Sequence, residues 1–216
     1  MNKKIFKNIV RDTFSKMLLP FGFKMISDTL YTKLSQDRIL YIVSFELGFE
    51  DFTCTVAMQP LYVFSYTDGL NLSMGTRITR FKSNDREWFS YSDYKEGLAY
   101  IEKKLISDVF PWFDNFGTPQ GIIQFITAEY QEDYGFILFN IFTQNLYIGF
   151  SYLYLKDLNN AIKYLALYTS SINDNAAAFI LDHNNKIKGI VASLEAGEEF
   201  IDLEKISLDT EASLYE

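Results

Sequence analysis

The hydrophobic residues of this chain change period twice, and those changes limit its fold more than any single motif does. Over residues 3–19, Ile5, Phe6, Ile9, Val10, Phe14, Met17 and Leu18 recur at helical spacing, with Lys3, Lys4, Lys7, Arg11 and Lys16 between them. That pattern predicts an amphipathic surface helix. Pro20 cannot continue its hydrogen-bond ladder, and Gly22 can take the positive φ that reverses the chain. The period then drops to two. Segments 30–34, 39–47, 52–63 and 71–81 are rich in β-branched and aromatic residues and are separated by short turns, which predicts an antiparallel meander. Within it Phe52, Cys54, Val56 and Met58 alternate with Thr53, Thr55, Ala57 and Gln59, so one face belongs on a core and the other is more polar.

Past residue 90 the helical period returns. Ser92 and Asp93 are cap residues ahead of Tyr94, Leu98, Ile101, Leu105 and Val109, and Pro111 is expected to stop that helix. Thr118-Pro119 opens a further helix to about residue 132. Two more are predicted at 135–155 and 158–170, joined by Lys156-Asp157, and a last one at about 174–194. Residues 149–165 look like one tetratricopeptide-type hairpin without a second copy. The expected fold is therefore α+β: an N-terminal helix on an antiparallel meander of about four strands, then an array of four to five α-helices. Residues 1–116 form the helix-and-sheet part and 117–216 an acidic helical extension expected to share its core.

Charge is unevenly placed. The formal charge is −8, yet residues 1–110 hold 15 basic and 13 acidic side chains against 5 and 15 in residues 111–216. Eight carboxylates fall in residues 195–216 beside the single Lys205. Such a run is ordinarily a solvated face or a loose tail; its functional reading is an acidic surface that steers a basic partner. Nucleic acid is disfavoured as a ligand, since phosphate binding needs clustered Lys and Arg. The N-terminal segment interrupts its apolar residues with charge and so lacks a signal-peptide core, which points to the cytoplasm. Residues 134–155 carry no charge over a length able to span a bilayer. Asn140, Thr143, Gln144 and Asn145 at its middle argue instead for a central helix packed by protein, and no membrane association is expected.

Counting removes most catalytic chemistry. His183 is the one histidine and Cys54 the one cysteine, so neither a His-rich metal site nor a dithiol pair can be built, and no metal or cofactor is expected. Gly-X-Gly, the phosphate-loop pattern and Gly-X-Ser-X-Gly are all absent. His183, in the polar stretch 181–186, reads as a surface residue, and Cys54 reads as a small buried hydrophobe. Carboxylate pairs such as Glu46 with Glu50, or Glu132 with Asp133, have the chemistry for acid–base work but no distinguishing context. Aromatic clusters near Phe64 and Tyr66, at 88–91 and at 111–113 read chiefly as packing, with a share left for protein recognition.

The order of these features resembles a bacterial family, domain of unknown function 4304. The segments that carry the resemblance are Leu-Leu-Pro-Phe-Gly-Phe-Lys at 18–24, Leu-Tyr at 30–31, Tyr-Ile-Val-Ser-Phe at 41–45, Arg-Ile-Thr-Arg-Phe at 77–81, Glu-Trp-Phe at 87–89 and Val-Phe-Pro-Trp-Phe-Asp at 109–114. It covers roughly residues 3–130 and implies a small cytoplasmic protein with an immunity-like role against polymorphic toxins; it brings no catalytic residues. Together with the acidic half, it leads to the expectation of a non-enzymatic protein that binds and blocks a basic toxin. The candidate contact residues are Arg77, Trp88, Phe64, Tyr66, Glu198, Glu199 and Asp202. The alternative is a small-molecule-binding or enzymatic domain with an aromatic-lined pocket between sheet and helices.

Overall fold

The computed structural model describes residues 2–64, 70–82, 88–136, 141–198 and 202–213. Helix α1 (Lys3–Leu18) starts at Asn2, whose side chain accepts from the Lys4 N–H at 2.8 Å, and buries Phe6, Val10, Phe14 and Leu18. A short turn carrying Pro20 closes it, and Gly22 takes φ 85 as expected.

Strands β1 (Lys24–Ser27), β2 (Leu30–Leu34), β3 (Ile39–Leu47), β4 (Asp51–Pro60) and β5 (Gly75–Arg77) follow one another in an antiparallel sheet of order β1-β2-β3-β4-β5, and β6 (Phe89–Ser90) also pairs with β4. The predicted strand at 71–81 is reduced to three residues. Ile78 still donates to the Cys54 carbonyl at 2.8 Å, but Arg80 then bonds back to Arg77, and the chain turns away from the sheet. The register sets Tyr41 opposite Met58, Val43 opposite Val56, Phe45 opposite Cys54 and Leu47 opposite Phe52. This row is the core face. Helix α1 lies on it, with Phe6 4.5 Å from Phe52 and Phe14 4.6 Å from Phe45 between ring centres. Burying each such side chain contributes ~1.5–3 kcal/mol.

The helices begin with α2 (Tyr94–Lys104), whose Gly97 lies so close to Phe52 and Phe89 that a Cβ would sit 2.8 Å from both rings. Pro111 does not end this helix, contrary to the sequence expectation. A π-turn, Leu105–Val109, carries the chain into α3 (Phe110–Phe116), with the Phe110 N–H donating to the Leu105 carbonyl. The wider turn accommodates a proline that has no N–H and whose ring would crowd the preceding turn. Helix α4 (Pro119–Thr127) is capped by Thr118, which accepts from the Gly121 N–H at 3.0 Å. It stops before residue 132, because Glu129 takes φ 59 and opens the short α5 (Tyr130–Asp133).

Helix α6 (Ile141–Tyr154) also departs from expectation. Gly135 is not part of it but a turn at φ 76 packed on the Arg80 carbonyl, while Asn140 lies outside the described residues. No helix among the described residues is long and apolar enough to cross a membrane. Lys156-Asp157 joins α6 to α7 (Leu158–Ser171) as expected, with Asp157 accepting from the Asn160 N–H at 3.2 Å. Helix α8 (Ala178–Glu195) packs on α7, and a further helix that the sequence reading left as a solvated face or tail, α9 (Leu203–Ser213), follows.

One hydrophobic cluster runs from α1 and the sheet through α3, α4, α6, α7 and α8. Trp112 touches Phe81, Phe125 and Phe136 at 5.2–5.8 Å, and Phe113 stacks on Tyr41 at 4.5 Å. The buried Tyr62 hydroxyl meets that of Ser151 at 3.1 Å, tying the end of β4 to α6.

Candidate functional site

Arg77 and Trp88 are brought together. The β4–β5 register sets Arg77 opposite Thr55, on the sheet face away from the core cluster, and Glu46 of β3 reaches the same place. The Thr55 hydroxyl donates to Glu46, the Arg77 guanidinium lies 4.0 Å from the Glu46 carboxylate, and its carbon sits 4.9 Å over the Trp88 ring. Glu46, Thr55 and Arg77 border a cleft of about 240 Å3 that Arg80 also lines. Each satisfies another: the carboxylate holds the guanidinium, which the indole covers. The cation–π contact contributes ~0.5–1 kcal/mol at such a partly exposed position.

Phe64 lies elsewhere, beyond the C-terminal end of β4. Its ring stacks on His183 at 5.5 Å, and the Lys186 ammonium lies 5.7 Å from it. Tyr66 is outside the described residues. His183 is not a surface residue, contrary to the sequence reading: it is 2% exposed. Its Nε2–H donates to the Phe64 carbonyl at 2.9 Å, and its Nδ1 accepts from the Tyr168 hydroxyl at 2.8 Å. A carbonyl can only accept, so this tautomer follows from the partners. Burial pushes the imidazole pKa down, and the neighbouring Lys186 adds to that, against the Phe64 hydrogen bond and Asp182. His183 therefore joins α7, α8 and residue 64 as a neutral bridge. The helical spacing of His183, Ile187 and Leu194, all buried, is the signal that its polar neighbours concealed.

The acidic segment is a built surface. Asp202 caps α9, its side chain accepting from the Lys205 N–H at 2.9 Å. Arg38, in the β2–β3 turn, holds the helix from the other side. Its Nε donates to the Ser207 hydroxyl at 2.7 Å, and its guanidinium pairs with Glu211 at 2.8 Å. Glu204, Leu208 and Asp209 face outward, and Glu195, Glu198 and Asp202 are exposed beside the α8–α9 connection. Glu199 is outside the described residues. The sequence held a signal for this helix: Leu203, Ile206 and Thr210 at three-four spacing behind an Asp cap.

Cys54 is fully buried, and burial, with Glu46 nearby, holds its thiol pKa well above the usual range, so it stays protonated. Glu46 is engaged with Thr55 and Arg77, whereas Glu50 is exposed in the β3–β4 turn. Glu132 and Asp133 are exposed on α5. Among the described residues no three His, Cys, Asp or Glu side chains are grouped to hold a metal ion. Comparison with protein-family models, curated proteins and solved structures matches none of them.

Proposed function

We propose that the chain is a non-enzymatic, cytoplasmic protein-binding protein, immunity-like in role, which neutralises a basic protein such as a nuclease toxin through its acidic surface. The observation that carries this reading is α9. Glu204 and Asp209 are exposed on α9 at i−4 and i+1 of the 53% exposed Leu208, Glu195, Glu198 and Asp202 are exposed ahead of the helix, and Lys205 is the single basic residue of 195–209. A run of carboxylates of this kind imitates the phosphates that a nuclease binds and accelerates encounter, while an exposed apolar residue on the same helix supplies a desolvated contact. Because Arg38 and Ser207 fix the helix, little ordering is left to bring about on binding. The family resemblance over residues 3–130 agrees with this role.

The experiment is affinity capture from the source cells with the full chain and with a Glu204→Lys, Asp209→Lys double variant. The reading expects a basic partner that the native chain retains at low salt and the variant loses, and whose toxicity the native chain suppresses on co-expression. Equal capture by both chains, or no captured partner of basic charge, contradicts it.

A further inference from the structure

A second surface, on the face built by α3, α4 and α5, has a different chemistry. A cleft of about 670 Å3 lies there, within the ~300–1,000 Å3 range of small-molecule sites. It is lined by Lys82, with its ammonium group, Asn115 and Gln124, with their carboxamides, Asp133, with its carboxylate, and Tyr130 and Tyr134; the buried Phe116 also lines it. Among the described residues, none of those six polar side chains makes a hydrogen bond or an ion pair, although Lys82 lies 4.5 Å over the Tyr134 ring. In the Arg77 cleft, by contrast, the polar groups bond one another. The backbone is also unusual here. Lys82 at φ 54 and Glu129 at φ 59 both adopt the left-handed region that long side chains seldom occupy. Glu129 thereby starts α5, which carries Tyr130, Asp133 and Tyr134 to the cleft.

We propose that this cleft binds a neutral saccharide. Its charges balance, with one cation and one anion, so an anionic ligand would meet Asp133 and a cationic one Lys82. A ligand rich in hydroxyls suits both, since each hydroxyl donates and accepts. Carboxamides and a carboxylate can each engage a vicinal pair of hydroxyls, and the half-buried Tyr130 ring provides an apolar surface for the C–H face of a pyranose. This site is independent of α9 and stands or falls apart from the protein-binding reading.

The test is an NMR titration of the full chain with glucose, galactose, N-acetylglucosamine and maltotriose, with serine as a zwitterionic arm and inorganic phosphate as an anionic one. The expected result is saturable shifts at residues 115, 124, 130 and 133 with at least one sugar and with neither serine nor phosphate. Gln124→Ala and Asp133→Asn, both at exposed positions, are expected to weaken that binding about tenfold each, while Lys188→Ala on α8 leaves it unchanged. Absence of saturable shifts with all four sugars, shifts at these residues with serine or phosphate instead, or an affinity equal to the native chain's in both cleft variants overturns the proposal.

Discussion

The Tyr168 hydroxyl donates to Nδ1 of the buried His183 at 2.8 Å, while Nε2–H of the same ring donates to the Phe64 carbonyl. Both bonds as drawn belong to the neutral imidazole. Desolvation, chiefly, lowers the folded-state pKa below the ordinary 6.5, so the unfolded chain takes up this proton first as pH falls. The stability contributed by the neutral ring is complete above the ordinary value and is lost as pH drops through the folded one. Urea denaturation is expected to give a midpoint that holds above about pH 7 and falls below about pH 6.5, and His183→Gln removes that part of the pH dependence. Tyr168→Phe, which strips Nδ1 of this donor, is expected to cost about 1 kcal/mol.

Gly149 is where α6 meets α7. A Cβ there would stand 2.7 Å from the Leu165 side chain and 3.1 Å from its backbone nitrogen. Gly149→Ala is expected to destabilise by about 1–3 kcal/mol. Gly189, in α8, has nothing within 4 Å of the same position, so Gly189→Ala is expected to stabilise by about 0.5–1 kcal/mol. Thermal unfolding of the two variants reads the contrast.

Arg38 holds α9 from a turn distant in sequence. Arg38→Ala removes the bond to Ser207 and the pair with Glu211 together. Amide hydrogen exchange is expected to accelerate across residues 203–213 while the protection of β3 and β4 is retained, because α9 opens as a local unit. Uniform acceleration across the chain would show that the helix is integral to the core.

At the sheet edge, Trp88→Ala uncovers the Arg77 guanidinium while leaving Glu46 in place. The expected loss is about 0.5–1 kcal/mol from the cation–π contact, plus the ring's own burial. Arg77→Lys keeps the charge but not the planar group that stacks, and is expected to lose a comparable contact energy.

Elements governed by neighbouring residues were legible in the sequence. Strands β2, β3 and β4, the reversal at Gly22, the Thr118 cap and the Lys156-Asp157 connection all depend on local period or turn chemistry. What escaped depends on partners far away. Pro111 is tolerated because a π-turn precedes it and Trp112 and Phe113 are drawn into the core beside it. Helix α9 looked like a solvated tail, since Arg38, which pairs with Glu211, lies 173 residues earlier. His183 sits among Asp182, Asn184 and Asn185, whose polarity outweighed its place on the buried stripe of α8. Of the candidate contacts, Arg77 and Trp88 meet each other, Phe64 is tied to His183, and Asp202 caps a helix. The outward acidic face of α9 is made by Glu204 and Asp209 instead.

The most direct test of the protein-binding account is hydrogen exchange of the full chain with and without its captured basic partner. The account predicts new protection centred on residues 195–209, weakened as salt rises, since screening shortens the reach of these carboxylates. Protection confined to other faces, with residues 195–209 exchanging as in the unbound chain, would contradict it.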